Sequence, residues 1–143
     1  MRIVDTSVLL PAVNPSLPQH ESARTALESA INDVRPVGIT WVVVNAFLRL
    51  TTKPGLFERP LTIVGAWDLV DDWLEHPNVR IVQETEEHPR LWSELLRGAG
   101  TGGNLTTDAW IAAIALAHGA SVLTIDSDFA RFPGVRWESP IGG

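Results

Sequence analysis

Apolar residues along the chain fall into two patterns, short continuous runs and longer stretches in which they recur every three or four residues. The short runs are bounded by turn-forming residues and predict buried strands. They occupy residues 2–5, 37–39, 79–82, 121–125 and 135–137. The last of them is expected at an edge of the sheet.

The longer stretches have the spacing of amphipathic helices, with polar residues at their starts and glycine or proline at several of their ends. They occupy residues 6–13, 19–32, 41–52, 61–75, 85–98 and 105–117. Because helices alternate with strands, the pattern predicts an α/β fold with a mainly parallel central sheet covered on both faces. No internal repeat or linker divides the sequence, so residues 1–143 are expected to form a single domain.

Four aspartates stand where such a sheet gathers functional groups. Asp5 follows the first predicted strand, and Asp126 and Asp128 follow the fourth. Asp108 lies near the start of the helix over 105–117, which is otherwise apolar all round and therefore expected to be buried. Functional groups collect at the carboxyl ends of parallel strands, so two predicted strand ends that carry aspartate indicate a site.

Each aspartate also has an ordinary structural explanation. Asp108 fits helix capping and the helix dipole, Asp5 fits a strand-end turn, and the segment 126–128 fits an Asx turn. If these carboxylates converge, however, their mutual repulsion requires a cation to offset it. Oxygen ligands without cysteine favour Mg²⁺ or Mn²⁺ over zinc, and we therefore expect a divalent metal site.

The composition is that of an ordinary globular protein, with 143 residues, 45% of them hydrophobic, and no cysteine. The lack of cysteine excludes disulfides and thiolate zinc sites and makes a reducing cytoplasm the expected location. No apolar run approaches the roughly 18 residues of a membrane span, and Asp5 interrupts the N-terminal apolar stretch, so neither a membrane helix nor a signal peptide is expected. The net charge of −6 disfavours broad attraction to nucleic acid, although aspartates at a metal site contribute to that charge.

Three segments resemble the motifs of PIN-domain nucleases, and more closely those of the VapC toxins of bacterial toxin–antitoxin pairs. They are Ile-Val-Asp-Thr-Ser at 3–7, Gly-Asn-Leu-Thr-Thr-Asp-Ala at 103–109 and Leu-Thr-Ile-Asp-Ser-Asp-Phe at 123–129. Residues 47–51 resemble the third helix of one VapC subgroup, and residues 129–137 resemble its C-terminal end. The likeness covers nearly the whole chain in order, which makes the set far more specific than any one motif.

The resemblance implies a three-layer α/β/α domain with a metal-dependent endoribonuclease site. By position, Asp5 and Asp108 would be the principal ligands of Mg²⁺ or Mn²⁺. Asp126 and Asp128 would complete the acidic cluster, binding a metal directly or through water. The resemblance also implies an RNA substrate, a VapB antitoxin whose C-terminal part blocks the cleft, and a homodimer.

One position departs from the family pattern. Many PIN domains have a glutamate on the third helix, three residues before the arginine matched by Arg49, and here that position is Ala46. Asn45 lies about 100° around the helix from Ala46 and is an imperfect substitute. The VapC subgroup that the chain resembles often lacks the glutamate, so Ala46 is interpreted as native. Asp126 and Asp128 must then contribute more of the site, and the number of bound metals stays open.

The resulting hypothesis is metal-assisted hydrolysis of RNA. The metal would polarise a phosphoryl oxygen and lower the pKa of a bound water, and Asp126 or Asp128 would orient or deprotonate that water. The products would have a 3′-hydroxyl and a 5′-phosphate. Target choice would depend on loop shape and on a basic rim, whose candidates are Arg24, Arg35, Arg59 and Arg97.

Most other distinctive residues favour structural roles. The four histidines are scattered and show no ligand spacing. Tryptophans at helical spacing favour core or dimer packing over the stacking of RNA bases; these are Trp67, Trp73, Trp92 and Trp110. Arg49 fits a contact with phosphate or antitoxin, or a buried ion pair. Thr6, Ser7 and Thr124 fit either assistance to the metal site or simple capping.

Two other enzyme classes with clustered aspartates fit poorly. The Asp-x-Asp of haloacid-dehalogenase phosphatases opens the domain and is followed by a lysine, whereas 126–128 lies near the end of the sequence with no lysine after it. Response-regulator receivers need a lysine that Lys53, between two helices, does not supply. The alternative that stays open is a degenerate PIN domain that binds RNA or a protein without cutting it, which Ala46 and the acidic charge favour.

Overall fold

The computed structural model describes residues 1–141 and contains a five-stranded sheet whose paired strands are all parallel. The strands are β1 (Arg2–Val4), β2 (Val37–Ile39), β3 (Val79–Ile81), β4 (Ser121–Leu123) and β5 (Trp137–Glu138). Their order across the sheet is β3-β2-β1-β4-β5. The prediction of a mainly parallel central sheet is confirmed, and so is the edge position of the last strand.

The helices form two groups around this sheet. They are α1 (Thr6–Ala12), α2 (His20–Ile31), α3 (Trp41–Thr52), α4 (Ile63–Glu75), α5 (His88–Ala99) and α6 (Leu105–His118), with a short 3₁₀ helix at Ser127–Arg131. Helix α1 packs on α2 and α3, α3 packs on α4, and α5 packs on α6. Every residue of β2 and β4 is buried, as expected for strands covered on both faces. The fold is therefore the predicted three-layer α/β/α arrangement. No helix within residues 1–141 is both long and apolar enough to cross a lipid bilayer.

The centre of the sheet is packed closely enough to require a glycine. A Cβ atom added at Gly38 would lie 2.7 Å from Cγ2 of Val82 and 3.1 Å from Cγ1 of Ile3. Interiors packed at this density do not absorb an extra methyl group without moving their neighbours. Gly38 thus lets β2 lie tightly against the side chains of Ile3 and Val82.

Several element boundaries differ from the sequence-based expectation, and the largest shift is at α5, which begins at His88 instead of residue 85. Strand β4 ends at Leu123 because the Ile125 amide donates to the Ser7 hydroxyl (3.0 Å) instead of continuing the ladder. Helix α4 begins at Ile63, after the Leu61 amide has donated to the Thr51 carbonyl across the α3–α4 turn (2.8 Å). The last strand covers Trp137–Glu138, two residues with extended pairing to β4.

The strand order places one crevice at the centre of the carboxyl edge. From β1 the order runs through β2 to β3 on one side and through β4 to β5 on the other, so the connections reverse between β1 and β4. Such a reversal opens a crevice at the carboxyl ends of the two strands, where ligands bind in open α/β sheets. Asp5 directly follows β1 and Asp126 lies just beyond β4, so both predicted strand-end aspartates flank this crevice.

Candidate metal centre

Three carboxylates converge beside the crevice. Asp108, Asp126 and Asp128 each offer a carboxylate oxygen, and these oxygens lie within 4.8 Å of one another. Asp108 lies in the first turn of α6, and Asp126 and Asp128 belong to the turn that begins the 3₁₀ helix. All three residues are partly buried. A group of oxygen donors at this spacing, without nitrogen or sulfur, has the chemistry of a site for a hard divalent cation.

Asp5 lies next to this group but is held differently. Its residue is only 5% exposed, and Oδ2 accepts hydrogen bonds from the hydroxyls of Ser7 (2.7 Å) and Thr124 (2.8 Å). It is not one of the three residues that share the 4.8 Å spacing. Its charge nevertheless acts on the group, because the Asp5 carboxylate helps to raise the pKa of Asp108.

The two hydroxyls join the ends of β1 and β4. Thr124 Oγ1 accepts from the Asp126 amide at 2.9 Å, and Ser7 Oγ accepts from the Ile125 amide at 3.0 Å. The hydroxyl oxygens of Ser7 and Thr124 lie 3.1 Å apart. Because each hydroxyl contacts Asp5 and also the backbone after β4, their roles extend beyond simple capping. They fix the Asp5 carboxylate relative to the turn that bears Asp126.

The Asx turn expected at 126–128 is present together with the acidic group. Asp126 Oδ1 accepts a hydrogen bond from the Asp128 amide at 2.9 Å and caps the 3₁₀ helix. The turn brings Asp126 and Asp128 close enough to share the group with Asp108. The ordinary explanation and the metal-binding one are therefore compatible at this segment.

Crowding changes the protonation of the two most enclosed carboxyls. Burial raises the pKa of Asp5, while the hydrogen bonds from Ser7 and Thr124 oppose the increase. Burial, followed by the negative charges of Asp5 and Asp126, raises the pKa of Asp108 to about 7. A carboxyl with this pKa is about half protonated at neutral pH, because its neighbours disfavour another charge. A bound cation would remove that penalty, so these residues fit a divalent metal.

Helix α3 adds no acidic residue to this group within residues 1–141. Ala46, which matches the usual glutamate position, is partly buried, and its neighbour Asn45 is exposed. Arg49 is exposed and forms no ion pair with any residue that the structure describes, so the expectation of a buried ion pair is wrong for it.

The candidate arginines of a basic rim differ in their surroundings. Arg24 pairs with Glu21 and Glu28 on its own helix, and Arg35 pairs with Asp33 and Glu138. Arg97 donates to the Ser93 hydroxyl, whereas Arg59 lines an open pocket together with Phe57. Two of the four side chains are therefore already engaged by carboxylates, which weakens their case as phosphate ligands.

The tryptophan predictions are mostly right, and one histidine was missed. Trp73, Trp92 and Trp110 pack against the core, whereas Trp67 is 39% exposed and is not a core residue. His88 is buried at the start of α5, although no pattern in the sequence singled it out. Its partners are aromatic residues of α5 and α6, and only the packing of those helices reveals them.

The fold and the acidic group define a known class of protein. The PIN domain model matches residues 2–135, and the chain belongs to the PIN domain family. The chain is 45% identical over 140 residues to ribonuclease VapC37 of Mycobacterium tuberculosis, covering 98% of this chain and 97% of the relative. It is 33% identical over 141 residues to ribonuclease VapC33 of the same organism, covering 99% of each. The resemblance to VapC proteins inferred from the motifs is confirmed.

Solved structures share the fold at lower sequence identity. The VapBC2 complex of Rickettsia felis, bound to a DNA fragment from its promoter, aligns with a TM-score of 0.72 and 19% identity over 96% of this chain and 97% of that chain. The M. tuberculosis toxin VapC20, which cleaves the sarcin–ricin loop, aligns with a TM-score of 0.67 and 20% identity over 95% and 99% of the two chains. At this identity the likeness establishes the shared three-layer fold.

Proposed function

We propose that this chain is the toxin of a VapBC toxin–antitoxin pair and acts as a Mg²⁺- or Mn²⁺-dependent endoribonuclease. The observation that supports it best is the meeting of Asp108, Asp126 and Asp128 next to the buried Asp5, at the reversal of strand order. Relatives of up to 45% identity that match the chain end to end are named ribonucleases. We assign Asp5, Asp108 and Asp126 as metal ligands, and these three with Asp128 as the catalytic group.

The residues divide the work according to their surroundings. A bound divalent ion supplies positive charge for the phosphodiester and makes a water easier to deprotonate. Asp108 would hold the ion, and Asp5 would do so with its ionised form favoured by the hydrogen bonds from Ser7 and Thr124, which oppose the effect of burial on its pKa. Asp126 or Asp128, both partly exposed, orients the attacking water and accepts its proton. Attack of the water oxygen on phosphorus breaks the P–O3′ bond, and the departing O3′ takes up a proton from solvent, which leaves a 3′-hydroxyl and a 5′-phosphate.

Membership of the PIN domain family and the exposed apolar surface of α4 support a set of binding partners. Exposed apolar side chains at the start of α4 suit coverage by another protein, because Ile63, Val64 and Trp67 are 53%, 68% and 39% exposed. We propose a VapB-type antitoxin as that partner, RNA as the substrate and a homodimer as the assembly. We also propose that residues 1–143 act as one PIN domain in the cytoplasm, where the RNA substrate is found.

The test is cleavage of defined tRNA and rRNA fragments with product ends mapped. Wild-type protein is expected to cut in Mg²⁺ or Mn²⁺, to stop in EDTA, and to leave 5′-phosphates. Asp108→Asn removes a ligand charge and is expected to lower the rate about a hundredfold. Asp71→Asn makes the same change on the exposed side of α4 and is expected to cut like the wild type.

The competing function is a degenerate PIN domain that binds RNA without cutting it. Ala46 favours it, because the glutamate of many PIN domains is missing from the site. Gel-shift binding of the same fragments without any product, at all metal concentrations, would establish that alternative. Equal cleavage in EDTA would instead contradict the proposed dependence on metal.

A further inference from the structure

The loop between α5 and α6 does not by itself fix the position of Asp108. It is rich in glycine, and Gly100 and Gly103 adopt positive φ angles of 71° and 61°. Glycine has more accessible backbone conformations than any other residue, so such a connection holds its helices loosely. Packing of α6 against its neighbours, among them α5, must therefore help to determine where its first turn lies.

Trp92 of α5 makes the most direct of these contacts. Its indole Nε1 donates to the Thr106 carbonyl at 2.9 Å, and its ring meets the Trp110 ring at a centroid distance of 4.8 Å and an angle of 70°. Thr106 and Trp110 are one helical turn apart and share a face of α6. Asp108 lies midway between them in sequence, about 200° around the helix from Thr106 and so on the opposite face.

Trp110 and His88 complete the contact. The Trp110 indole Nε1 donates to Oε1 of Glu84 at 2.9 Å, which fixes the ring from the β3–α5 connection. The His88 ring is 4.5 Å from the Trp110 ring and 6.2 Å from the Trp92 ring. The pair with Trp110 is edge-to-face and the pair with Trp92 is stacked, and aromatic contacts at these distances are favourable beyond the area they bury.

The buried position of His88 is unfavourable for its two polar ring nitrogens. The residue is 4% exposed, and within residues 1–141 neither ring nitrogen has a hydrogen-bond partner. Burying an unpaired polar group costs free energy, and burial also lowers the pKa of His88 and so favours the neutral ring. The ring thus serves as a packing surface between Trp92 and Trp110.

We propose that His88, Trp92 and Trp110 form an aromatic clasp that positions Asp108 for binding a divalent cation. The clasp contacts the face of α6 opposite Asp108, so it holds that carboxylate toward Asp126 and the rest of the acidic group. Trp92 is the main positioning residue, since it contacts α6 both before Asp108, at the Thr106 carbonyl, and after it, at the Trp110 ring. This inference rests on the proposed metal-dependent function.

Binding of a divalent cation depends on the position of the Asp108 carboxylate. Mg²⁺ demands near-ideal octahedral geometry with oxygen ligands at about 2.1 Å, so a small displacement of one carboxylate weakens binding. Asn104 at the start of α6 makes no capping hydrogen bond, and the Thr106 hydroxyl ties the first turn only to the Gly103 carbonyl of the glycine-rich loop. Loss of the indole donor should therefore loosen Asp108 before it unfolds the domain.

The test measures the Kd for Mn²⁺ by calorimetry in the full chain. Trp92→Phe is expected to raise this Kd about fivefold, the factor that loss of one ordinary hydrogen bond gives. Saturating Mn²⁺ should then return RNA cleavage toward the wild-type rate. Trp73→Phe is the matched control, because Trp73 packs on Phe47 between α3 and α4 and should leave the Kd unchanged.

A second variant separates the hydrogen bond from the packing. Benzothienylalanine at position 92 keeps the bicyclic shape of tryptophan but has no N–H group. It is expected to raise the Mn²⁺ Kd and to speed amide hydrogen exchange in the first turn of α6, even if Trp92→Phe does not fold.

The variant Asp108→Asn, measured in the same series, distinguishes a failure of the clasp proposal from a failure of the proposed metal centre. If it loses Mn²⁺ binding while the position-92 variants bind like the wild type, the clasp is refuted and the proposed metal centre stands. If Asp108→Asn itself binds Mn²⁺ like the wild type, both proposals are refuted.

Discussion

Thr124 is the residue that links the two sides of the acidic group. It is fully buried, its hydroxyl donates to Asp5 Oδ2 at 2.8 Å, and it accepts from the Asp126 amide at 2.9 Å. One hydroxyl therefore satisfies a buried carboxylate and a backbone donor at once. Removing it takes a hydrogen bond from the buried Asp5 carboxylate and from the partly buried Asp126 amide, and the loss of a partner for a buried polar group is costly.

Thr124→Val tests this link with a side chain of nearly the same shape. We expect the free energy of unfolding to fall by about 1 to 3 kcal/mol, measured by urea denaturation, because one buried and one partly buried hydrogen bond are lost. We also expect affinity for Mn²⁺ to fall about tenfold, since the partner of a metal ligand is removed. Thr51→Val is the control: Thr51 is equally buried, but its hydroxyl donates to the Phe47 carbonyl within α3. If both variants bind Mn²⁺ alike, Thr124 has no special role.

At this scale the sequence predicted residue types better than residue partners. The four aspartates could be selected because strand ends and a helix start are recognisable from apolar periodicity. The choice between capping and site roles for Ser7 and Thr124 could not be made. It depends on β1 and β4 being neighbours, and that adjacency follows from the strand order, which the sequence pattern does not specify.

Asn78 shows how one side chain joins two elements far from the acidic group. Its amide nitrogen lies 2.9 Å from the Ile31 carbonyl and 3.0 Å from each of the Asp33 and Arg35 carbonyls. These carbonyls belong to the end of α2 and the turn that follows it, where helix carbonyls lack partners within the helix. Asn78 thus fixes the approach to β2 from the neighbouring start of β3.

Asn78→Asp is expected to destabilise the domain by about 2 kcal/mol, because it removes the donors and directs a negative charge at carbonyl oxygens. The measurement is urea denaturation of the metal-free protein. Asn32→Asp is the matched control, since the Asn32 amide donates to the Glu28 carbonyl on the exposed surface at 3.0 Å. Equal loss in the two variants would contradict the proposed role of Asn78.

The boundaries of helices and strands were predicted well where the apolar periodicity is strong. They were predicted poorly where a hydrogen bond to a side chain ends the element. The pattern gave α6 almost to the residue, because its apolar run lies between Gly103 and Gly119. It extended β4 to Ile125, because nothing in the pattern shows that the Ile125 amide leaves the ladder for Ser7. The aromatic clasp could not be predicted from the sequence either, since His88 and Trp110 meet only when α5 packs on α6.

Repulsion among the carboxylates of the acidic group affects the stability of the whole molecule. The pKa of Asp108 is raised to about 7, above its ordinary value of 3.8, by burial and by the charges of Asp5 and Asp126. Between these two values the folded state holds a proton that the unfolded state has released. The stability that Asp108 contributes is therefore present at low pH and is lost as pH rises through about 7.

Melting of metal-free protein in EDTA between pH 4 and pH 8 tests this statement. We expect the melting temperature of the wild type to fall relative to Asp108→Asn as pH rises. At pH 8 the variant should be the more stable by about 1 to 2 kcal/mol, a value reduced from the full pKa shift because Asp108 is partly exposed and screened by solvent. Added Mn²⁺ should reverse the order at pH 8. Parallel melting curves for the two proteins across this range would contradict the expected repulsion.

The central claim is that the carboxylates at the reversal of strand order hold a divalent cation, and anomalous diffraction from crystals soaked in MnCl₂ tests it most directly. We predict an anomalous peak in contact with the Asp5, Asp108 and Asp126 carboxylates, and no such peak in crystals of Asp108→Asn. Well-diffracting wild-type crystals with no peak at this position, at millimolar Mn²⁺ and pH 8, would contradict the account.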